Sequence, residues 1–245
     1  MSILTKPAIF ALAIPVLTAI FSTAARAEEP PCPFYENRAG LCGYYHSEIS
    51  PARAFADTVA TRGKWGSPSQ QPVILDVRST SEYKAGHPEH AYNVPYPYIF
   101  QYCDATGRSP DGACKKGIGT LPQKNDDFVD YVKKIIPNKD TPIYTLCRTG
   151  HRSVGAAHLL ADAGYTNVRN IWEGFVGLFL NAPQVTGYNG DGTPIIGNAP
   201  IDLNHDGVLT DGDKNGWRYH QNLPYDTRLL PPLVYQLGTE YYDMD

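Results

Sequence analysis

The chain has 245 residues, 42% of them apolar and 19% charged, with a formal net charge of −4. That length accommodates one domain with a full core plus a substantial extension. The composition excludes a disordered or fibrous chain, and an acidic balance without a basic patch argues against nucleic acid as a partner.

Residues 1–27 read as a signal peptide. Lys6 precedes the apolar run AIFALAIPVLTAIF, which is short for a bilayer span, and Ala25 and Ala27 flank Arg26 as small residues of a cleavage site before Glu28. Cleavage there removes Lys6 and Arg26 and no acid, taking the net charge from −4 to −6. The mature chain is expected to be periplasmic or secreted, with no membrane association after cleavage.

An oxidising compartment gives the five cysteines meaning. In the arm 28–47, Cys32 and Cys42 bracket a loop-like stretch, and Cys103 and Cys114 bracket another. Local pairing leaves Cys147 free, although four cysteines allow other connectivities. No Cys-x-x-Cys occurs, so a zinc ribbon, a thioredoxin-type centre and a haem attachment site are unsupported.

Along the chain, Ser50 caps and Pro51 starts a helix that Gly63 stops. VILDV (73–77) suits a buried strand. Ser79 and Glu82 form a capping box for a short helix ended by Gly86, and AYNVP (91–95) is a further strand candidate. The stretch 96–123 has no period and many turn residues, as a functional or stapled loop would. In NDDFVDYVKKII (125–136), Phe128, Val129, Val132, Ile135 and Ile136 share one helical face, with acids at the start and lysines near the end. PIYTL (142–146) and NVRNI (167–171) read as strands. RSVGAAHLLADAG (152–164) reads as a helix stopped at Gly164, and GFVGLFL (174–180) as a short helix. This alternation predicts an α/β fold over 48–182, an open parallel sheet flanked by helices, with ligands beyond the carboxyl ends of its strands. Residues 183–245, rich in Gly, Asn, Asp, Pro and Tyr, read as an irregular C-terminal extension.

The chemistry concentrates in LCRTGHRSVG (146–155), where Cys147 lies between a strand and a helix. A thiol reacts as its thiolate, and helix N-termini and nearby cations favour that form. Backbone amides from Arg148, Thr149, Gly150 and His151 at the helix start, with the charges of Arg148 and Arg152, form an anion cradle around the sulfur. This arrangement suits nucleophilic attack by sulfur on an anionic substrate.

CRTGHRS (147–153), VILDVRSTSEYKAGH (73–87), YNVPY (92–96) and NVRNIWEGFVG (167–177) together resemble the rhodaneses, single-domain sulfurtransferases, over more than half the chain. Pro88, His90 and Glu173-Gly174 depart from the family's usual residues. The resemblance implies a rhodanese-like sheet and a ping-pong reaction. Cys147 takes a sulfane sulfur from thiosulfate or a similar small anionic donor and passes it to cyanide or a thiol, with no redox cofactor. Arg148, Thr149, Gly150, His151, Arg152 and Ser153 would line the substrate loop, and Asp76 and Arg78 would shape it. Arg152 either binds the donor or pairs with Asp76; His151 is expected to point to solvent, and His87 and His90 to be surface or packing residues. Phosphatases and arsenate reductases of this fold carry one more residue between cysteine and arginine, so the shorter Cys147–Arg152 spacing argues against them. The competing reading is a persulfide carrier that docks a periplasmic protein partner. A thiol redox sensor would need a resolving cysteine that local pairing denies it.

The other pattern is DLNHDGVLTDGD (202–213). Asp202, Asn204, Asp206, the Val208 carbonyl, Thr210 and Asp213 fall at the ligand positions of a calcium loop, with Gly207 at its sharp turn. It resembles EF-hand loops, and more closely the dockerin variant, because Asp213 replaces the final glutamate. A structural calcium ion is therefore expected, although no clear helix precedes Asp202.

Overall fold

The computed structural model describes residues 45–61, 71–100, 110 and 123–235. Residues 1–27, read as a signal peptide, and Cys32, Cys42, Cys103 and Cys114 lie outside the described residues. No helix among the described residues is long and apolar enough to cross a membrane.

The elements run β1 (Ser47–Ile49), α1 (Pro51–Asp57), β2 (Val73–Asp76), α2 (Thr80–Lys84), β3 (Tyr92–Asn93), β4 (Tyr98–Phe100), β5 (Gln123–Lys124), α3 (Phe128–Ile135), β6 (Ile143–Leu146), α4 (His151–Asp162), β7 (Val168–Ile171), β8 (Asn181–Tyr188) and β9 (Pro194–Pro200). A five-stranded sheet has the order β1-β7-β6-β2-β3, and every pairing in it is parallel. The predicted α/β architecture, a parallel sheet flanked by helices, is the architecture observed. β4 and β5 pair antiparallel at the two ends of the long loop, and β8 and β9 form a separate antiparallel hairpin.

Parallel strands bury both faces, and successive side chains point to opposite sides. Leu75, Val77, Ile143 and Val168 pack against Phe128 and Val132 of α3 and Val154, Ala157 and Leu160 of α4. Ile74, Tyr144, Leu146 and Ile171 pack the other way, against Ala54 of α1, Tyr83 of α2, and Trp217 and Val234 of the extension. The extension is thus part of the packing of the second face. Trp217 is fully buried, and its indole N–H donates to the Pro224 carbonyl at 2.9 Å. Val234 bridges Asn93 on the outer side of β3, and the Tyr235 amide donates to the Asn93 carbonyl at 2.9 Å.

Local signals act as the residue types require. The Ser50 hydroxyl caps α1, and Ser79 and Glu82 close a reciprocal capping box at α2. Three readings need correction. α1 ends at Asp57, and residues 58–61 form a turn in which the Ala60 amide reaches the Phe55 carbonyl five residues back at 3.1 Å, while Gly63 lies outside the described residues. Ser47–Ile49, given no element ahead of the Ser50 cap, is an edge strand beside β7. Residues 174–180 are not helical: Gly174 and Gly177 sit at φ of 72° and 82°, and the amides of Phe175, Val176 and Gly177 bond the carbonyls of Cys147 and Arg148. The β8–β9 hairpin was also not predicted. Its strands hold Pro183, Gly187, Pro194, Gly197 and Pro200, residues poor in strand propensity, and most of its positions are exposed.

Truncating a buried tryptophan leaves a cavity and costs about 3–5 kcal/mol. Trp217→Ala is therefore expected to lower the stability of the whole chain by that order in urea unfolding followed by circular dichroism. An unchanged midpoint would show that the extension is not part of the packed core.

Candidate active site

β6 is buried along its whole length and delivers Cys147 just beyond its carboxyl end. The chain then turns through Arg148, Thr149 and Gly150 into α4. Gly150 caps that helix at φ 88°, and a Cβ there would lie 2.1 Å from the Trp172 carbonyl oxygen, so only glycine fits. The Cys147 thiol is 1% exposed. Its Sγ accepts from the Gly150 amide at 3.1 Å and from the Ser153 hydroxyl at 3.3 Å. Sulfur, one loop amide and one hydroxyl therefore converge at the N-terminus of a twelve-residue helix, where partial positive charge collects. Arg148, Thr149 and His151 are half-buried along the same loop, and the Thr149 hydroxyl and His151 Nδ1 are 3.4 Å apart.

Beneath the loop lies a set of buried charges. Arg78, fully buried, makes a forked contact with Asp76 and donates to the Glu82 carbonyl at 3.2 Å and the Gly86 carbonyl at 2.7 Å. Its guanidinium lies 4.1 Å from the Phe175 ring centre. Arg152 donates both terminal nitrogens to Glu82, each at 2.7 Å. Of the two roles offered for Arg152, the pairing with Asp76 is corrected: Arg78 occupies both oxygens of Asp76, and Glu82, one turn into α2, faces α4 instead. Burial alone would raise the Glu82 carboxyl, but Arg152, then Arg78 and the Ser79 amide, hold it below the ordinary range. Burial works against the Arg152 charge, and Glu82 and the neighbouring Cys147 more than offset it.

Glu82 is the residue the sequence reading undervalued, because its capping role hid its second one. The signal was available: a carboxylate with no other assigned partner, one helix turn after the Asp76–Arg78 pair. Asn93 supports the same corner, donating to the carbonyls of Asp76 at 3.1 Å and Arg78 at 2.9 Å. His87 is the packing residue of the two alternatives, buried against α2. It stacks on Tyr83 with ring centres 3.5 Å apart, and burial lowers its pKa. His90 adopts φ 62° in the turn before β3.

The Asp202–Asp213 loop has the internal turns of a cation loop. Asp202 Oδ2 accepts from the Gly207 amide at 2.7 Å, Asn204 from the Asp206 amide at 3.0 Å, and Asp206 from the Val208 amide at 2.8 Å. Asp202 Oδ1 is buried with no hydrogen-bond partner, which fits a cation ligand. Asp213 is buried and takes the amides of Leu203 and Asn204 on one oxygen and of Thr210 on the other. Among the described residues no group of three or more His, Cys, Asp or Glu is gathered tightly enough to hold a metal ion.

Comparison with known proteins places this geometry. A family model described as a rhodanese-like domain matches residues 64–179. Thiosulfate sulfurtransferase 16, chloroplastic, of Arabidopsis thaliana is 34% identical over 41% of this chain and 68% of its own. Thiosulfate sulfurtransferase 18 of the same plant is 32% identical over 42% of this chain and 62% of its own. Among solved structures, Rv0390 from M. tuberculosis superposes with a TM-score of 0.42 at 23% identity, over 76% of this chain and all of that one. The chain spans about half the length of most of the curated relatives it matches.

The buried groups set a pH dependence. His87 has a lowered pKa, so its contribution is complete above its ordinary value and fades as pH falls below about 6.5. Glu82 is likewise lowered, so its contribution is complete above about 4.5 and is lost on further acidification through its folded value. Unfolding midpoints are expected to decline in those two windows, with Glu82→Gln flattening the lower one. Glu82→Ala leaves Arg152 without its carboxylate and is expected to cost about 3–5 kcal/mol at pH 7, read by urea unfolding.

Proposed function

The chain belongs to the rhodanese-like family, and from that premise we propose that it is an exported sulfurtransferase working through a persulfide on Cys147. The observation that carries this reading is the single sulfur at the carboxyl end of β6, held by the Gly150 amide and the Ser153 hydroxyl at the start of α4.

In this reading the Cys147 thiolate attacks the outer sulfur of thiosulfate. A sulfur–sulfur bond forms to Cys147, the donor's own sulfur–sulfur bond breaks, and sulfite leaves with the electron pair. Cyanide or a thiolate then attacks the outer sulfur and returns Cys147 as thiolate. Gly150 N–H and Ser153 O–H stabilise negative charge on sulfur at both ends of the cycle. Arg152 is committed to Glu82, so its role is to hold the start of α4 in place, and donor recognition falls to Arg148, Thr149 and His151 at the loop. A nucleophile only 1% exposed favours a donor or acceptor of a few atoms that can reach the sulfur end-on. The relatives' names supply the donor class: two are thiosulfate sulfurtransferases. Export rests on the leader-like residues 1–27 and on cysteine usage.

Intact mass spectrometry is expected to show one added sulfur atom after thiosulfate, removed by cyanide, with Cys147→Ser taking up none. Sulfur uptake by the serine variant would overturn the assignment of the nucleophile. Continuous thiocyanate formation distinguishes an enzyme from a carrier, which would load once and stall without its partner.

The Asp202–Asp213 loop is proposed as a structural calcium site. Asp202 and Asp206 would supply carboxylates, Asn204 and Val208 carbonyl oxygens, and Thr210 and Asp213 the remaining positions. Calorimetric titration of chelator-treated protein is expected to show calcium uptake that Asp202→Ala removes; no heat in the parent protein would overturn the site.

A further inference from the structure

The match to the rhodanese-like family model ends at residue 179, but the hydrogen bonding that stabilises the Cys147 loop does not. We propose that the turn Asn215–Arg218, in the C-terminal extension, is a positioning element for the Cys147 loop. It acts through the intervening segment Gly174–Leu178. The proposal rests on the persulfide reading of Cys147 given above.

Three layers of backbone stand against one another. In the first, the carbonyl of Cys147 accepts from the Phe175 amide at 2.8 Å, and that of Arg148 accepts from the amides of Val176 at 2.9 Å and Gly177 at 3.1 Å. In the second, the carbonyls of Gly174, Phe175 and Leu178 accept from the amides of Trp217 at 3.1 Å, Arg218 at 2.9 Å and Asn215 at 3.1 Å. The Asn215 side chain returns the contact, taking the Leu178 amide at 2.8 Å. No side chain separates these layers. A Cβ on Gly174 would lie 2.6 Å from the Arg148 carbonyl oxygen, one on Gly177 2.1 Å from the Gly216 nitrogen, and one on Gly216 2.3 Å from the Val176 carbonyl carbon. A displacement of the outer layer therefore has no soft contact in which to dissipate before it reaches Arg148.

The consequence for the sulfur follows from peptide geometry. In a planar trans peptide the C=O and the following N–H point in opposite directions. Pinning the carbonyls of Cys147 and Arg148 toward Phe175–Gly177 turns the N–H groups of Arg148 and Thr149 away from that segment, to the inner side of the loop. The Gly150 amide, next in the chain, already reaches Sγ at 3.1 Å. The extension thus sets the direction of the amides that a persulfide anion would need, without touching the sulfur. A second attachment runs beside it: Arg218 Nη1 donates to the Ala85 carbonyl at 3.1 Å, in the turn that also holds Arg78 through Gly86.

Gly216→Ala in the full-length protein is the direct test, because the added methyl drives the outer two layers apart. It is expected to slow alkylation of Cys147 by iodoacetamide roughly tenfold and to lower kcat with thiosulfate and cyanide by a similar factor. KM for thiosulfate should stay within about twofold, since the donor-facing side chains are not altered. Val234→Ala, which loosens the same core at a residue whose backbone bridges Asn93 beside β3, is the matched control. It should lower the melting temperature and leave the alkylation rate unchanged. If Gly216→Ala does not fold, Asn215→Ala, which removes the acceptor for the Leu178 amide and inserts nothing, takes its place. A folded variant with parental alkylation rate and kcat would overturn the proposal, as would an equal loss in Val234→Ala. Absence of sulfur transfer in the parent protein would overturn the persulfide reading alone, because the alkylation rates still decide the positioning.

Discussion

A parallel sheet has no face that it can leave in water, and this constraint organises the molecule. The central strand β6 is buried at every position, so each side of the sheet needs a complete apolar cover. α3 and α4 supply one cover. On the other side α1 and α2 are short, seven and five residues, and too small to close the face. Trp217, Val234 and the partly buried Tyr219, Leu223 and Leu229 complete it. What reads along the chain as a tail is, in space, a share of the second layer.

The same arrangement governs the site. Cys147 leaves β6 between the two layers, so its loop is backed on one side by α4 and on the other by the Gly174–Leu178 segment and the extension behind it. Three glycines allow those backbones to touch, and the contacts leave no room for a side chain. The buried charges follow a matching logic. Asp76 with Arg78, and Glu82 with Arg152, are pairs whose single members would be costly in this environment. Together with the capping bonds of Ser79 they tie α2 to the start of α4. The helix whose N-terminus meets the Cys147 sulfur is thereby fastened to the strand end that carries the second family motif.

Much of this was legible residue by residue. Ser50, Pro51, Ser79, Glu82 and Gly164 act locally, through capping and backbone freedom within a few residues, and their readings were confirmed by the geometry. Cys147 and Gly150 are also close in sequence, so a loop amide on the sulfur was visible in CRTGHRS, whereas the Ser153 hydroxyl on the same atom emerged from the structure. The misreadings came where a residue's partner is distant. Gly174 and Gly177 look tolerable in a short helix until the carbonyls of Cys147 and Arg148, some thirty residues earlier, claim their neighbours' amides. Arg152 was offered Asp76 because both belong to family motifs, but a fully buried Arg78 had already taken it.

The sequence by itself determined the alternation of strands and helices, the place of Cys147 at a strand-to-helix turn, and the family. Those properties depend on periodicity, caps and residue type over short distances, where chain connectivity does the positioning. Only the tertiary structure decided which carboxylate meets Arg152, that residues 174–180 turn instead of coiling, and that Asn215–Arg218 stand behind the Cys147 loop. Each of those depends on which distant backbone groups remain unsatisfied once the sheet has formed, and composition and period carry no record of that.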